Sequence, residues 1–411
     1  MNGFYDKTKV YLEVRAGDKI NQNEFDLLDT AQLLDRAPVE IWSACGTNNQ
    51  LAYSTHGLFR YFGKFPPPIA THLIRTYTQD GDIVLDLMSG SGTTGVEALL
   101  ENRNCILNDV NPLSILLAKV KTTHIPEEVL TSALGRIEQA YSSDAAQEYA
   151  FVPTGLKNFQ HWFLPETADS LRRIKFGIEN EENADVRNFF NVCFAAIIRR
   201  VSRATIQQGR LFLDAETADK EALPYFVKKT KSNIKAVCEL PVHNFKFATY
   251  TYDLRSPLPS KLHATADLVI LHPPYFNSYK YSSINSLELS WLGFNYNDIR
   301  YNEVKEFFKV GKEDKASIYV EDMVNVVNNC TSVLKKGATL ALMIGDTVIH
   351  GNYIPVTKMV LDKIDYDKLE LSLISLRVPK YTEASWAASQ RRQSHEVGVT
   401  LNDFILVLRR K

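Results

Sequence analysis

The chain has 411 residues, of which 45% are hydrophobic and 23% are charged, and its formal net charge is −1. This is ordinary globular composition with room for more than one lobe, and the total charge does not suggest a strongly basic nucleic-acid binder. No apolar run approaches the length of a membrane span, and the N-terminus lacks the pattern of a secretory signal. The five cysteines are scattered without a CxxC pair, which argues against a zinc site or a disulfide framework and predicts a reducing, cytoplasmic location.

Residues 1–55 carry no recognisable motif, and we expect them to form an accessory cap. The segment HGLFRYFGKFPPPIATHLI comes next, at residues 56–74. Its prolines suit the start of a helix, because the first helical position needs no backbone N–H. The string Lys64-Phe65-Pro66-Pro67 is a weak signal by itself and gains meaning only beside motifs farther along the chain.

Residues 81–114 predict a strand, a glycine turn, a helix, a second strand and an acidic residue, in that order. This is the first half of a doubly wound nucleotide-binding sheet. Glycines let the backbone approach a ligand more closely than any residue with a Cβ. The acidic residue at the tip of the second strand can accept both ribose hydroxyls of a nucleoside. The residues that define this predicted cofactor site are Asp86, Met88, Gly90, Gly92, Thr93 and Asp109.

The glycine turn does not suit a pyrophosphate. Its spacing is not G-x-G-x-x-G and the chain has no GK[ST] element, so it matches neither common phosphate-binding loop. The carboxylate of Asp86, directly at the loop, would repel a phosphate and suits a cationic ligand instead. S-adenosylmethionine carries a sulfonium and an ammonium charge, and it is therefore the predicted cofactor.

A long insertion separates the second strand from a third strand near Tyr250, and a simple crossover needs far fewer residues. Its apolar residues recur at helical spacing between positions 186 and 201, which predicts a helical insertion. Basic residues concentrate at the end of this pattern and predict contacts with nucleic-acid phosphates. For any one of them a solvated helix face is an equally good explanation. These residues are Arg199, Arg200, Arg203 and Arg210.

Two further strands are predicted after the insertion. Residues 245–259 alternate aromatic and small side chains as a strand does, and then reach Asp253. The stretch DLVILHPPYFNSYKYS, residues 267–282, begins as a buried strand and ends in His272-Pro273-Pro274-Tyr275. Two prolines cannot donate ladder hydrogen bonds, so the sheet must stop there. A rigid turn with a polar first residue and an aromatic last residue therefore comes after a core strand.

The C-terminal region completes the predicted sheet. Residues 337–347 predict a fifth strand with Gly345 at its tip, close to the active face, and residues 402–411 predict a final edge strand. Two Tyr-, Lys- and Arg-rich stretches on either side of the fifth strand predict further nucleic-acid contacts. The stretches are residues 276–312 and 385–398, and the candidate contact residues in them are Lys280, Arg391 and Arg392.

The sequence DLMSGSGTTGVEA resembles the D-x-F-x-G-x-G-T motif of class I S-adenosylmethionine-dependent methyltransferases, with Met88 in place of the usual Phe. With KFPP before it and HPPY after it, the chain resembles the DNA methyltransferases that act on adenine N6 or cytosine N4. The three elements occur in that family's order, and the resemblance covers residues 56–120 and 245–411. It implies a mostly parallel, Rossmann-like α/β sheet flanked by helices, with a helical insertion.

The resemblance also implies roles for residues around the cofactor. Lys64 and Phe65 would wall its methionine end. Asp253, at the end of the third strand, would contact the adenine amino group of S-adenosylmethionine.

The tetrapeptide implies how the target amine is held. In the family its first residue and the next carbonyl accept hydrogen bonds from the amine, while the aromatic residue stacks on a base turned out of the helix. Here His272 would accept through a neutral imidazole nitrogen, the carbonyl of Pro273 would accept the second N–H, and Tyr275 would stack. Histidine departs from the usual Asp, Ser or Asn, so activity should fall as the imidazole is protonated, and the target base is not indicated.

The predicted organisation is an accessory segment (1–55), a first catalytic half (56–125), a helical insertion that contacts DNA (126–240) and a second catalytic half (241–411). The predicted function is site-specific methylation of an exocyclic amino nitrogen, cytosine N4 or adenine N6, in double-stranded DNA, with no metal. A cognate restriction endonuclease and a lone regulatory role are equally compatible with it.

Other classes remain as alternatives. An RNA methyltransferase acting on guanine N2 uses similar loops, although no appended RNA-binding domain is recognisable. A non-catalytic nucleic-acid-binding subunit would keep the fold without the reaction. A protein-glutamine methyltransferase would have Asn in place of His272, and a cytosine-C5 enzyme would have a Pro-Cys context, so both are disfavoured.

Overall fold

The computed structural model describes residues 10–20, 33, 35–207, 210–242, 245–276, 281–304, 315–349, 352–381 and 403–411. The predicted contact residues Lys280, Arg391 and Arg392 lie outside this part of the chain. Among the residues it describes, no helix is long and apolar enough to cross a membrane.

In the described part of the chain, nine strands form one mixed sheet. Its strands are Tyr11–Ala16 (β1), Val39–Cys45 (β2), Ile83–Asp86 (β3), Asn104–Asn108 (β4), Phe247–Tyr250 (β7), Ala266–Leu271 (β8), Leu334–Gly345 (β9), Leu371–Tyr381 (β12) and Asp403–Arg410 (β13). Two separate hairpins consist of Ala204–Gln207 (β5) with Arg210–Leu213 (β6), and Thr347–Ile349 (β10) with Asn352–Ile354 (β11).

Across the sheet the strand order is β1-β2-β12-β13-β9-β8-β3-β4-β7. From β3 the chain runs outward through β4 to β7, and it then returns to the other side of β3 as β8 and continues to β9, all in parallel. This reversal leaves a crevice outside the carboxyl ends of β3 and β8, where ligands bind in open α/β sheets. The predicted fold class, a mostly parallel Rossmann-like α/β sheet flanked by helices, is confirmed.

The α-helices of the described chain cover both faces of the sheet and form the insertion. They are Pro67–Tyr77 (α1), Thr93–Leu100 (α2), Pro112–Thr122 (α3), Glu127–Tyr141 (α4), Asp144–Glu148 (α5), Phe159–Trp162 (α6), Pro165–Glu179 (α7), Ala184–Val201 (α8), Leu223–Cys238 (α9), Tyr281–Ile284 (α10), Ser286–Trp291 (α11), Tyr296–Asn302 (α12), Lys315–Val333 (α13) and Val356–Lys363 (α14).

Two hydrophobic layers sandwich the sheet. On one face, Leu73 of α1 and Ala98 of α2 pack with Ile270 of β8. On the other face, Val327 of α13 packs with Val269. Because neighbouring residues of β8 point into different cores, this strand is apolar at every position from 268 to 271, as is typical of a parallel strand covered on both sides.

The prediction of an edge strand at residues 402–411 was wrong. Strand β13 lies between β9 and β12 and is antiparallel to both. Each residue from Phe404 to Leu408 is at most 1% exposed. An edge strand with one solvated face would alternate apolar and polar residues, whereas the run FILVL indicates burial on both faces.

The N-terminal segment contributes two strands to the sheet, whereas a cap on it was predicted. Strand β2 pairs in parallel with β12, and β1 pairs antiparallel with β2. Ile41 and Trp42 point to opposite faces of β2 and enter the two different hydrophobic layers. Both are buried, so this segment belongs to the folded core.

The insertion forms a helical lobe from α4 to α9 with the hairpin β5–β6. Its longest helix, α8, begins after Asn183, whose side-chain oxygen accepts from the backbone N–H groups of Asp185 and Val186 at 2.9 and 3.2 Å. Phe190 and Phe194 on α8 are fully buried, in a cluster that also includes residues of α3. The lobe is thus joined to the helix after β4.

Candidate active site

A cavity opens where β3, β4, β7 and β8 end. Its wall contains residues from all three predicted motifs. Segments far apart in sequence therefore meet in the crevice that the strand order creates. The predicted site residues that line it are Lys64, Phe65, Met88, Gly90, Thr93, Asp109, Asp253, His272, Pro274 and Tyr275.

The loop after β3 depends on two glycines. Gly90 has a φ of +47° and Gly92 a φ of +77°, a region that residues with a Cβ rarely adopt. Gly90 lines the cavity. Gly92 lies behind the loop, where a Cβ would come within 3.0 Å of the Ala118 backbone. Gly90 therefore shapes the cavity wall, and Gly92 lets the loop pack on α3.

Asp109 stands at the tip of β4, on the cavity wall. The backbone N–H of Gly90 donates to its Oδ2 at 2.8 Å and the N–H of Asn111 donates to its Oδ1 at 2.8 Å. Burial raises the pKa of Asp109 to about 6, although these hydrogen bonds act in the opposite direction. Each carboxylate oxygen retains acceptor capacity, so the carboxylate can also accept hydrogen bonds from ligand hydroxyls.

Asp86 lies beneath the loop and does not line the cavity. The hydroxyl of Thr94 donates to its Oδ2 at 2.5 Å and the backbone N–H of Met88 donates to its Oδ1 at 3.2 Å. Burial raises the pKa of Asp86 to about 7. Asp86 therefore supports the loop and the start of α2. The predicted direct contact of its carboxylate with the ligand is not seen, because Asp86 lies behind the cavity wall.

Sequence reasoning missed Asn108, a buried residue that joins three strand ends. Its Nδ2 donates to the carbonyls of Leu87 at 3.0 Å and Tyr252 at 2.9 Å, and its Oδ1 accepts from the N–H of Tyr252 at 2.7 Å. One amide thus fixes the loops after β3 and β7 on either side of β4. The sequence signal that could have identified Asn108 was its position directly before Asp109, at the end of the same strand.

Asp253 lies just after β7 and lines the same cavity. Arg255 donates to it from Nε at 2.9 Å and from a terminal guanidinium nitrogen at 2.6 Å. Burial alone would raise the pKa of Asp253, but the hydrogen bonds and charge of Arg255 lower it below its usual value. The residue therefore presents an anionic group at the wall.

Lys64 and Phe65 form the wall beside the proline turn. The ring of Phe65 meets the imidazole of His272 edge-on, with centroids 5.3 Å apart. The ammonium of Lys64 donates to the carbonyl of His56 at 3.2 Å, and burial lowers the pKa of Lys64. Its charge is thus directed into the protein.

A buried carboxylate attaches this wall to the glycine-loop helix α2. Glu97 accepts at Oε1 from the hydroxyl of Tyr53 at 2.7 Å and from Nε2 of His56 at 2.8 Å, and at Oε2 from the hydroxyl of Thr71 at 2.5 Å. Burial would raise the pKa of Glu97, but these three donors lower it. Glu97 is therefore anionic, and it fixes the Lys64–Phe65 segment relative to α2.

His272 comes directly after β8 and lies between two aromatic rings. Its imidazole is 5.3 Å from the rings of both Phe65 and Tyr275, at interplanar angles of 82° and 87°. Burial lowers the pKa of His272 to about 4, and the charge of Asp403 acts in the opposite direction. The imidazole is neutral at physiological pH and keeps a lone pair that can accept a hydrogen bond.

The rest of the turn is held by two contacts. The hydroxyl of Tyr319 donates to the carbonyl of Pro274 at 2.8 Å. The ring of Tyr275 lies on Gly345 at the end of β9, where a Cβ would be 2.9 Å from Cε2 of Tyr275. Gly345 thus lies at the active face, as predicted. Pro273, between His272 and Pro274 in the turn, is buried.

Two further tyrosines that sequence reasoning missed also line the cavity. The rings of Tyr61 and Tyr281 stack, with centroids 5.8 Å apart and an interplanar angle of 17°. The hydroxyl groups of Tyr61 and Ser114 are within hydrogen-bond distance at 3.1 Å. Tyr61 belongs to the same HGLFRYFGKFPP segment as Phe65, so proximity in sequence was the signal for it.

The predicted basic contacts of the insertion occupy different environments. Arg199 is bound to Glu288 at 2.6 Å and lies over the Phe62 ring, so its guanidinium holds helices together rather than facing solvent. Arg203 donates to the carbonyl of Ala215 at 3.2 Å. Arg200 is exposed on α8, and Arg210 begins β6.

The charges of the cavity wall fit S-adenosylmethionine. Three carboxylates line the cavity, those of Asp109, Glu303 and Asp253, the last of which is paired with Arg255, whereas Lys64 is turned inward and His272 is neutral. Such a wall attracts a cation and disfavours a polyphosphate. Among the described residues, no cluster of three or more His, Cys, Asp or Glu side chains could hold a metal ion.

Comparison with known sequences gives matches to methyltransferases. A family model described as DNA methylase matches residues 3–119. The type II methyltransferase M.MvaI of Kocuria varians is 25% identical over 304 residues, which cover 68% of this chain and 66% of that protein. M.BsoBI of Geobacillus stearothermophilus is 26% identical over 276 residues, which cover 60% of this chain and 54% of that protein. The chain thus spans just over half to about two thirds of these relatives.

Solved structures show only distant likeness. TrmN from Thermus thermophilus has a TM-score of 0.34 and 11% identity, over 85% of this chain and 50% of that one. The rRNA methyltransferase AviRa from Streptomyces viridochromogenes has a TM-score of 0.34 and 13% identity, over 88% of this chain and 93% of that one. These scores add nothing to the fold already described. In its motifs and its sequence matches, the chain is similar to the DNA amino-methyltransferases that act on adenine N6 or cytosine N4.

Proposed function

We propose that the chain transfers a methyl group from S-adenosylmethionine to an exocyclic amino nitrogen of adenine or cytosine in double-stranded DNA. The observation that carries this proposal is that Gly90 and Asp109 line the same cavity as the His272–Tyr275 turn. The named relatives are type II methyltransferases, which supports DNA as the substrate and makes a partner endonuclease compatible with it.

The chain's own residues account for cofactor binding. Asp109, fixed by two backbone N–H groups, would accept the ribose hydroxyls, while Asp253 would accept from the adenine amino group. Lys64 and Phe65 would wall the methionine end. When bound, S-adenosylmethionine supplies an electrophilic methyl group on a sulfonium centre.

The turn after β8 accounts for the target. An exocyclic amine is a poor nucleophile because its lone pair is delocalised into the base. The neutral imidazole of His272 and the carbonyl of Pro273 would accept its two N–H groups and draw the nitrogen towards tetrahedral geometry. The ring of Tyr275 would stack on the base, which would leave the duplex to reach the cavity. Holding the amine in place supplies much of the rate.

Incubation with methyl-labelled S-adenosylmethionine and either duplex DNA or total RNA tests this proposal. We expect label in DNA, with host DNA amplified in vitro as the first substrate, because it contains the recognition sequence without methyl groups added in the cell. Label confined to RNA would favour a guanine-N2 enzyme. Cofactor binding without label in host DNA or RNA would favour a non-catalytic subunit. Either result would overturn the proposal.

A further inference from the structure

A carboxylate outside the predicted site faces His272 from two strands away. Strand β9 separates β8 from β13; Leu271 is opposite Leu342, and Gly345 is opposite Asp403. Because side chains alternate along strands, positions 272, 345 and 403 lie on the same face of the sheet. Asp403 is buried.

Gly345 leaves the space that Asp403 uses. A Cβ at position 345 would be 2.7 Å from Oδ1 of Asp403 and 2.9 Å from Cε2 of Tyr275. The carboxylate of Asp403 and the ring of Tyr275 therefore converge over the glycine, and the imidazole of His272 meets that same ring. Position 345 thus has no side chain that would screen Asp403 from the turn.

The reaction in the proposed function needs a proton acceptor. When the amine nitrogen forms its bond to the methyl carbon and the carbon–sulfur bond breaks, the nitrogen becomes cationic. It must then lose one proton, and the electron pair of that N–H bond returns to the nitrogen. A neutral imidazole within hydrogen-bond reach can take the proton on its lone pair.

We propose that His272 takes this proton and that Asp403 is the positioning residue that stabilises the resulting imidazolium. This inference rests on the proposed function. An imidazolium in a buried site is costly without a counter-charge, and a nearby carboxylate interacts more strongly there than in water. The side chain of Asp403 supplies that charge without occupying the cavity wall.

The electrostatics of the free protein agree with this geometry. Burial is the main cause of the low pKa of His272, and Asp403 is the group that raises it. Further neighbours of the imidazole are the Tyr275 phenol and, beside Phe65, Lys64, whose ammonium is turned towards His56. Removal of the Asp403 charge should therefore make the imidazole a weaker proton acceptor.

A titration of His272 by NMR tests the electrostatic link without DNA or cofactor. Its imidazole signal can be assigned by its loss in His272→Asn. We expect Asp403→Asn to lower the pKa of His272, and Asp367→Asn, which removes an exposed carboxylate elsewhere, to leave it unchanged. An unchanged pKa in Asp403→Asn would overturn the inference even if the protein methylates DNA.

A double-mutant cycle tests the role in the reaction. Asparagine at position 272 can accept a hydrogen bond but cannot take a proton. We expect Asp403→Asn to reduce kcat about tenfold in the wild-type background, with little change in KM, and to have no further effect in His272→Asn. Equal losses in both backgrounds would show that Asp403 is merely structural, and would overturn the inference.

Asp403→Glu keeps the test decisive if Asp403→Asn fails to fold. It retains the charge and should keep the pKa of His272 above that in a folded Asp403→Ser variant; equal values in the two would contradict the inference. Failure of the proposed function would be distinct from either result, because the wild-type protein would then methylate no DNA.

Discussion

At the scale of single residues, the proline turn depends on one glycine that the chain supplies from a different strand. The ring of Tyr275 packs against Gly345, and the imidazole of His272 meets the same ring edge-on. The turn is therefore shaped by packing from β9 as well as by its two prolines. The carbonyl of Pro274, held by Tyr319, fixes its other side.

Gly345→Ala should impair methyl transfer while leaving cofactor affinity intact. The added Cβ would lie 2.9 Å from the Tyr275 ring and 2.7 Å from Asp403, so both must move. Overpacking of this kind costs about 1–3 kcal/mol, and we expect about a tenfold loss in transfer rate. Gly135→Ala is the matched control, because a Cβ there meets nothing within 4 Å. Equal rates for the two variants would contradict this role of Gly345 in the turn.

Cofactor affinity should weaken as the pH falls through about 6. Burial raises the pKa of Asp109 to about 6, and below that value its protonated form loses negative charge and acceptor capacity. Isothermal titration across this range should show a rising dissociation constant for S-adenosylmethionine. Asp86 also has a raised pKa, of about 7, so the assignment needs Asp109→Asn. That variant should bind about tenfold more weakly at neutral pH, with a flatter profile; an unaltered profile would assign the effect elsewhere.

At the scale of elements, the insertion is joined to the catalytic half by a buried ion pair. Arg199 of α8 contacts Glu288 of α11 at 2.6 Å, and their side chains are 17% and 2% exposed. Arg199 also donates to the carbonyl of Ile284 at 3.3 Å. This pairing explains why an arginine near the end of an apolar helix faces inward.

Arg199→Ala should strongly destabilise the protein, because it leaves the carboxylate of Glu288 buried without its partner. Breaking one side of such a pair costs about 3–5 kcal/mol in the free energy of unfolding. Arg200→Ala, one residue along and exposed, loses only the contact of its guanidinium with the Tyr225 ring and should change it by less than about 1 kcal/mol. Urea denaturation of both variants measures the difference. Similar stabilities would contradict the structural role of Arg199.

At the scale of the whole molecule, β13 is a central strand of the sheet. It lies between β12 on the side of the N-terminal strands and β9 on the side of the parallel strands. Leu406→Ala should therefore lower the free energy of unfolding by about 2–5 kcal/mol, because this side chain is fully buried in a central strand. Val14→Ala, on the edge strand β1 and 36% exposed, should cost far less. Thermal or urea denaturation measures both variants. Equal losses in the free energy of unfolding would contradict the central position of β13 in the sheet.

The parts of the site that sequence could predict are those defined by local chemistry. Glycines with positive φ, a carboxylate after a strand and two prolines after another carry their signals within a few residues. Asn108, Gly345 and Asp403 act across strands, and only the register of the sheet brings them to the site. Charge was the weakest guide, since Arg199 and Arg200 are adjacent in sequence but differ in partners and exposure.

The central claim is that an exocyclic amine of DNA is methylated in front of His272 and Tyr275. The most direct measurement is mass spectrometry of nucleosides from host DNA that was amplified in vitro, and therefore carries no methylated base, after incubation with S-adenosylmethionine and either wild-type protein or Tyr275→Ala. We expect N6-methyladenine or N4-methylcytosine from the wild type and a large loss from the variant, with cofactor affinity retained. C5-methylcytosine, methylated RNA alone, or equal product from both proteins would contradict the claim.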